Sequence, residues 1–78
     1  MDDVAAIAEC LGGDREAFRH LVERYQTEAL GHALTIVGDR EDALDVVQEA
    51  FLDAYRALDR FQSSRKFYPW FYVMLRNR

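Results

Sequence analysis

Apolar residues along this chain recur every three or four positions and nowhere alternate, a pattern that predicts helices and no strand. The clearest stretch is residues 39–61, where Ala43, Val47, Ala50, Phe51, Ala54, Leu58 and Phe61 share one face. Asp39 is its predicted N-cap, because a carboxylate there accepts from the open N–H groups of the first turn. Glu41 and Asp42 add negative charge at the positive end of the helix dipole. With no glycine or proline inside, about six turns are predicted. Residues 15–37 carry a second stripe of Phe18, Leu21, Val22, Tyr25, Ala29, Ala33, Leu34 and Val37, with Asp14 as its cap. Gly31 inside it costs about 1 kcal/mol relative to alanine, but an unbroken helix is predicted. A short first helix over residues 2–11 has Val4, Ile7, Ala8 and Leu11 at helical spacing, and Gly12–Gly13 stops it. Gly38–Asp39 is the next stop and start. After a polar loop at 62–66, Pro69 suits the first turn of a last helix through Trp70, Phe71, Val73, Met74 and Leu75. Phe61, Trp70 and Phe71 are the expected core aromatics of this end. The fold expected is all-α, a small bundle of about four helices in one domain over residues 1–78.

Composition narrows the picture. Half of the 78 residues are apolar, enough for a packed core and against disorder. No apolar run approaches the roughly 18 residues that span a bilayer, and no signal peptide opens the chain, so membrane insertion is not expected. Cys10 stands alone, which rules out an internal disulfide and suits a small apolar filler in a reducing cytoplasm. His20 and His32 lie twelve apart with no cysteine pair or recognised ligand spacing, so no metal is expected. Ser63 and Ser64 have no histidine nearby in sequence to act as a base, and no glycine-rich phosphate loop is present. The chain is therefore expected to bind without catalysing, and to need no cofactor.

Charge is what separates one part of the chain from another. Residues 60–78 hold Arg60, Arg65, Lys66, Arg76 and Arg78 with no acid, a local balance of +5. The other five basic residues and all fourteen acidic ones leave the first 59 residues at −9. An acidic body with a basic end fits two partners of opposite charge, or a solvated surface that is merely uneven. Six of the ten aromatic residues, Phe61, Phe67, Tyr68, Trp70, Phe71 and Tyr72, fall within that basic end. Aromatic faces stack unpaired bases while arginine and lysine hold phosphates; the same aromatics would also serve as plain core. On the central helix, Asp45, Gln48, Glu49, Leu52, Asp53 and Arg56 form the polar face. That face suits an arginine-rich helical partner with Leu52 as apolar anchor, and equally describes an ordinary solvated helix.

Three motifs carry a resemblance. The run from Asp42 to Leu52, DALDVVQEAFL, followed by Ala54-Tyr55-Arg56, resembles region 2.2 of bacterial sigma factors, above all the extracytoplasmic-function (ECF) group with its DAEDVVQEVFLRAYR. Gly13-Asp14-Arg15-Glu16-Ala17-Phe18, with Leu21 and Tyr25, resembles the family's opening GDxxAFxxLxxxY, and Phe67 to Asn77 resembles its FxxWLYxIARN. The resemblance implies that Asp45, Gln48, Glu49 and Leu52, with Asp53 and Arg56 at the rim, dock on the clamp helices of the RNA polymerase β′ subunit. It implies that the loop Gln62, Ser63, Ser64, Arg65 and Lys66, with Phe67, Tyr72, Arg76 and Asn77, recognises the non-template strand of the promoter −10 element. An anti-sigma factor is a further partner it admits. Leu44 departs from the family's usual glutamate, and Val73-Met74-Leu75 from a stretch often written with arginine, isoleucine and alanine. The second, helix-turn-helix domain of such factors is absent from the sequence, so an excised or naturally short region 2 is expected. A sigma-like interaction module without promoter-specific binding, and a general single-strand binder, are the alternatives.

Overall fold

In a computed structural model describing residues 1–78, four α-helices succeed one another with two short 3₁₀ turns between them. They are α1 (Asp3–Leu11), α2 (Phe18–Val37), α3 (Arg40–Ala57) and α4 (Phe67–Arg76). The turns are Arg15–Ala17, before α2, and Leu58–Arg60, after α3.

α2 and α3 form a tight helical hairpin. Gly38 ends α2 in the left-handed conformation at φ 77°, donating its N–H to Leu34 O at 2.9 Å. Asp39 then caps α3 as expected, its carboxylate accepting from the N–H of Asp42 at 3.0 Å. The inner faces carry small residues, Ala29 and Ala33 on α2 and Ala43, Ala50 and Ala54 on α3, all fully buried. They let the two backbones lie close. All seven residues placed on the inner face of the central stretch are buried. The α-helix itself stops at Ala57, and the last predicted turn tightens to 3₁₀ geometry. Gly31 does not break α2.

α4 closes the bundle with an aromatic cluster. Phe71 stacks on Phe51 of α3 with centroids 4.3 Å apart, and Phe67 on Phe71 at 5.8 Å. Phe67, Phe71 and Leu75, spaced i, i+4, i+8, are the inward row. Trp70 is only half-buried, against Phe61 at 4.9 Å. The expected core position of Trp70 is thus corrected: the buried ring is Phe67, because the extended backbone at Lys66 delivers Phe67 inward and leaves Trp70 on the flank.

Two further expectations at the N-terminal end are corrected. Of the row Val4, Ile7, Ala8 and Leu11, only Ile7 is buried; Val4 and Leu11 are 64% and 53% exposed. Asp3 accepts from Arg24 at 2.5 Å and from the Tyr25 hydroxyl, which rotates α1 so that Ala6 and Ile7 face the core. Asp14 makes no capping bond with its side chain, because the chain enters α2 through the 3₁₀ turn instead of directly. Asp2, outside the predicted caps, accepts from Ala5 N at 2.8 Å.

Candidate nucleic-acid and partner interfaces

Two surfaces gather the residues singled out from the sequence. On α3, Asp45, Gln48, Glu49, Leu52 and Arg56 are exposed and Asp53 is half-buried. Their spacing of three and four residues puts them on one continuous strip. Leu52, 46% exposed, stands among the carboxylates as the sole large apolar side chain of that set. Beside the strip lies a groove of about 610 Å³ between α2 and α3, walled by Val22, Gln26 and Leu30 on one side and Leu44, Gln48 and Phe51 on the other. The sequence places Val22 only on the apolar stripe of α2; here it is half-buried and also walls this groove. Leu44, where the family pattern has glutamate, is 39% exposed on the groove's edge and makes it more apolar.

The second surface is the loop at 62–66 with the outer side of α4. Gln62, Ser63, Ser64, Arg65 and Lys66 are all exposed, and the loop is held by a turn bond from Arg65 N to Gln62 O at 2.9 Å. Arg65 and Lys66 take part in none of the protein's ion pairs, and neither do Arg60 and Arg76. Four positive charges therefore face solvent uncompensated by a direct partner. A cavity of about 310 Å³ opens between the loop and α4, lined by Arg65, Lys66, Pro69, Trp70, Val73 and Met74. A larger one, about 730 Å³, lies on the loop's other side against Val4, Ala8 and Leu11 of α1 and Tyr25 of α2. The row read as the core side of α1 forms this wall.

The structure does not bring every expected residue to the basic surface. Phe67 is 1% exposed and has no face to offer a base, which corrects its assignment to DNA contact. Its part in this surface is to anchor the start of α4. A helix advances about 100° per residue, so Tyr72 falls with Tyr68 on the α2 side of α4, apart from Trp70 and Met74. There its ring meets His32 edge-on at 5.1 Å. Arg76 is exposed at the last turn of α4, and Asn77 is its C-cap, donating its N–H to Val73 O.

A ladder of aromatic and polar groups braces α4 against α2 and α1. His32 Nδ1 shares a hydrogen bond with the Tyr68 hydroxyl at 2.7 Å, and Tyr68 packs on Tyr25 at 5.2 Å. Burial pushes the Tyr68 hydroxyl up to about 12, with Glu28 and Tyr72 adding to it. Tyr25 is likewise raised to about 12, by burial first and then by its bond to Asp3. Both hydroxyls thus stay protonated across the ordinary pH range. Burial, then Asp14, also raises the thiol of Cys10, which is half-buried against the core.

The two surfaces touch at one point. Arg78 Nε and Nη2 donate to Asp53 Oδ2 at 2.9 and 2.5 Å, and Nη1 donates to Glu49 Oε2 at 2.7 Å. No ligating cluster of histidine, cysteine or carboxylate occurs, and no helix is long and apolar enough to cross a membrane.

A family model described as Sigma-70 region 2 matches residues 21–78. The chain is 48% identical over 60 residues to the RNA polymerase sigma-H factor of Pseudomonas aeruginosa, covering 77% of this chain and 31% of that protein. It is 42% identical over 72 residues to the ECF RNA polymerase sigma-E factor of Escherichia coli K12, covering 92% and 37%. Against the protein of the same description in Haemophilus influenzae the identity is also 42%, covering 92% and 38%. The chain thus spans about a third of the length of the curated relatives it matches. Among solved structures, the NMR structure of an engineered region 2 of sigmaE in complex with GTAAAA matches with a TM-score of 0.91 at 42% identity. That match covers 99% of this chain and 80% of the other.

Proposed function

Since this chain belongs to the sigma-70 region 2 family, we propose that it joins core RNA polymerase to promoter DNA and helps open the −10 element. The exposed strip of α3 docks on the clamp helices of the β′ subunit, and the loop at 62–66 with α4 holds the non-template strand. The observation that carries this reading is the segregation of charge. The acidic strip surrounds Leu52, while Arg65, Lys66 and Arg76 stand free of ion pairs beside the loop.

Each step of the function is binding, with no covalent bond made or broken. Glu49 and Asp45 attract a basic helical partner, Gln48 supplies directional hydrogen bonds, and Leu52 enters an apolar recess. The α2–α3 groove at Leu44 extends that footprint. On the other surface, arginine and lysine neutralise phosphates and release counterions. Gln62, Ser63 and Ser64 offer neutral donors and acceptors to base edges. The small cavity at Trp70 and Met74 is the candidate seat for an unstacked base. Stacking worth about 1–3 kcal/mol per base offsets the few kcal/mol needed to unpair it. An anti-sigma factor that covered the α3 strip would block polymerase, and the site of action is the cytoplasm.

The test is a titration against the β′ clamp helices, with the wild type beside a Gln48→Ala/Glu49→Lys double variant. The wild type binds and the variant, still folded by circular dichroism, does not. Binding retained by the folded variant refutes the interface. The oligonucleotide GTAAAA, held by the solved relative, is the first DNA probe; it should bind more tightly than a scrambled hexamer and lose affinity with added salt. A second reading, an interaction module without promoter-specific binding, draws support from Val73, which is 46% exposed on α4 in place of a charged residue. Equal binding of the two hexamers would favour it.

A further inference from the structure

Arg78 belongs to the basic end of the chain, yet its side chain is not on the basic surface. Of the five cations in residues 60–78 it alone has acidic partners. Its guanidinium bridges Glu49 and Asp53, one turn apart on α3, through three donors at 2.5–2.9 Å. These carboxylates lie in the middle of the strip, flanked by Gln48 and Leu52. The contact is solvent-washed, with 58% of the Glu49 side chain and 34% of the Asp53 side chain exposed. An ion pair of this kind is held loosely enough for another cation to displace it.

We propose that Arg78 is a latch docked on the α3 strip: it occupies the carboxylates that polymerase needs, and docking of polymerase releases its guanidinium toward DNA phosphate. This rests on the placement of polymerase on α3 given above. In the free chain the latch lowers affinity for both partners at once, because one charge of each sign is spent internally. Binding of a basic helix to Glu49 and Asp53 frees Arg78, so the DNA-binding end gains one cation. The reverse holds too: DNA that captures Arg78 uncovers the carboxylates. The coupling between polymerase and DNA is therefore positive and reciprocal.

The test compares the wild type with Arg78→Gln, which removes the charge at an exposed position. Against the β′ clamp helices at low salt, Arg78→Gln binds about two- to fivefold more tightly than the wild type, the range expected for an exposed ion pair. With GTAAAA alone, the wild type's salt dependence exceeds the variant's by less than it does with clamp helices, because the latch still competes with phosphate for Arg78. With the clamp helices saturating, the wild type's log–log salt slope is steeper than the variant's by about 0.7, one further phosphate contact on a single strand. Equal or weaker clamp binding by Arg78→Gln overturns the latch, as does a salt slope in the wild type that clamp helices leave unchanged. A Gln48→Ala/Glu49→Lys variant run alongside separates the two failures. If it binds clamp helices like the wild type, the docking surface is wrong and the latch falls with it. If it fails to bind while Arg78→Gln matches the wild type, the docking surface stands and the latch alone is refuted.

Discussion

Replacing Phe67 by alanine separates a structural role for that ring from a DNA-contacting one. Phe67 is 1% exposed, and its ring centroid lies 5.7–6.4 Å from those of Tyr25, Trp70, Phe61, Phe18 and Phe71. It is where α2, α4 and the segment after α3 meet. Removing a buried phenylalanine ring costs about 3–5 kcal/mol, transfer and residual cavity together. A domain of this length is stabilised by about 4–12 kcal/mol in all, at roughly 0.05–0.15 kcal/mol per residue. The substitution therefore removes a large share of the total. Each kcal/mol moves Tm by about 4–8 °C at this size, so Phe67→Ala should lower Tm by at least about 12 °C.

The assay is thermal unfolding followed by helical circular dichroism, with GTAAAA binding measured well below each midpoint. Phe67→Leu keeps an apolar side chain in the site and costs less than the alanine change, since it leaves a smaller cavity. It should bind GTAAAA as the wild type does. Trp70→Ala, whose ring already keeps one side in water, should cost roughly half as much as Phe67→Ala, but weaken oligonucleotide binding. Two results would refute this reasoning: a Phe67→Ala midpoint within about 4 °C of the wild type, or a stable Phe67→Leu variant that no longer binds GTAAAA.

Gly31 lies inside α2 with nothing within 4 Å of a Cβ placed on it. Gly31→Ala should therefore stabilise the protein by about 1 kcal/mol, and the absence of any rise in Tm would contradict an unbroken α2. Tyr25 and Tyr68 ionise near 12 in the folded chain and near 10 when unfolded. The unfolded chain thus loses these protons first, and the stability they contribute, intact below about pH 10, is lost as pH rises toward 12. Alkaline titration at fixed denaturant should unfold the wild type in that window, and Tyr68→Phe should flatten the transition. A Tyr68→Phe profile identical to the wild type would show that this hydroxyl is not held protonated by the fold.

The parts of this fold legible in the sequence are those set by local chemistry. α3 packs along one side for its whole length, so a single stripe with an acidic cap described it as far as Ala57, and the glycine and aspartate at 38–39 marked its start; the tighter 3₁₀ turn that follows left no mark in the stripe. What the pattern missed was decided by residues far apart in the chain. The rotation of α1 follows from Asp3 reaching Arg24 and Tyr25, more than twenty positions away, and apolar spacing within α1 carries no trace of it. In α4 almost every residue from Phe67 to Leu75 is apolar, so several inward rows fit the sequence equally well. The choice of Phe67, Phe71 and Leu75 over Trp70 comes from the extended entry at Lys66 and from the stacking surface that Phe51 presents. The candidate surfaces divide in the same way. The α3 strip was legible because solvent-facing residues on a long helix keep strict spacing. The α2 wall of its groove and the α1 wall beside the loop were not, since each is made by a second helix.

The core also constrains how the two surfaces work together. Phe51 lies on the inner side of the helix that carries the acidic strip, and Phe71 on the inner side of the helix that carries the basic surface. Their stack at 4.3 Å, extended by Phe67 to the edge of the loop, leaves no slack for one helix to shift without the other. A partner seated on α3 would therefore meet a basic surface already set in place, and the cost of ordering the loop's anchor is met during folding rather than at binding. Within such a frame, coupling between the two surfaces cannot come from helix movement. It falls to side chains that span both helices, and Arg78, rooted at the end of α4 and bonded to α3, is the one charged group in the protein so placed.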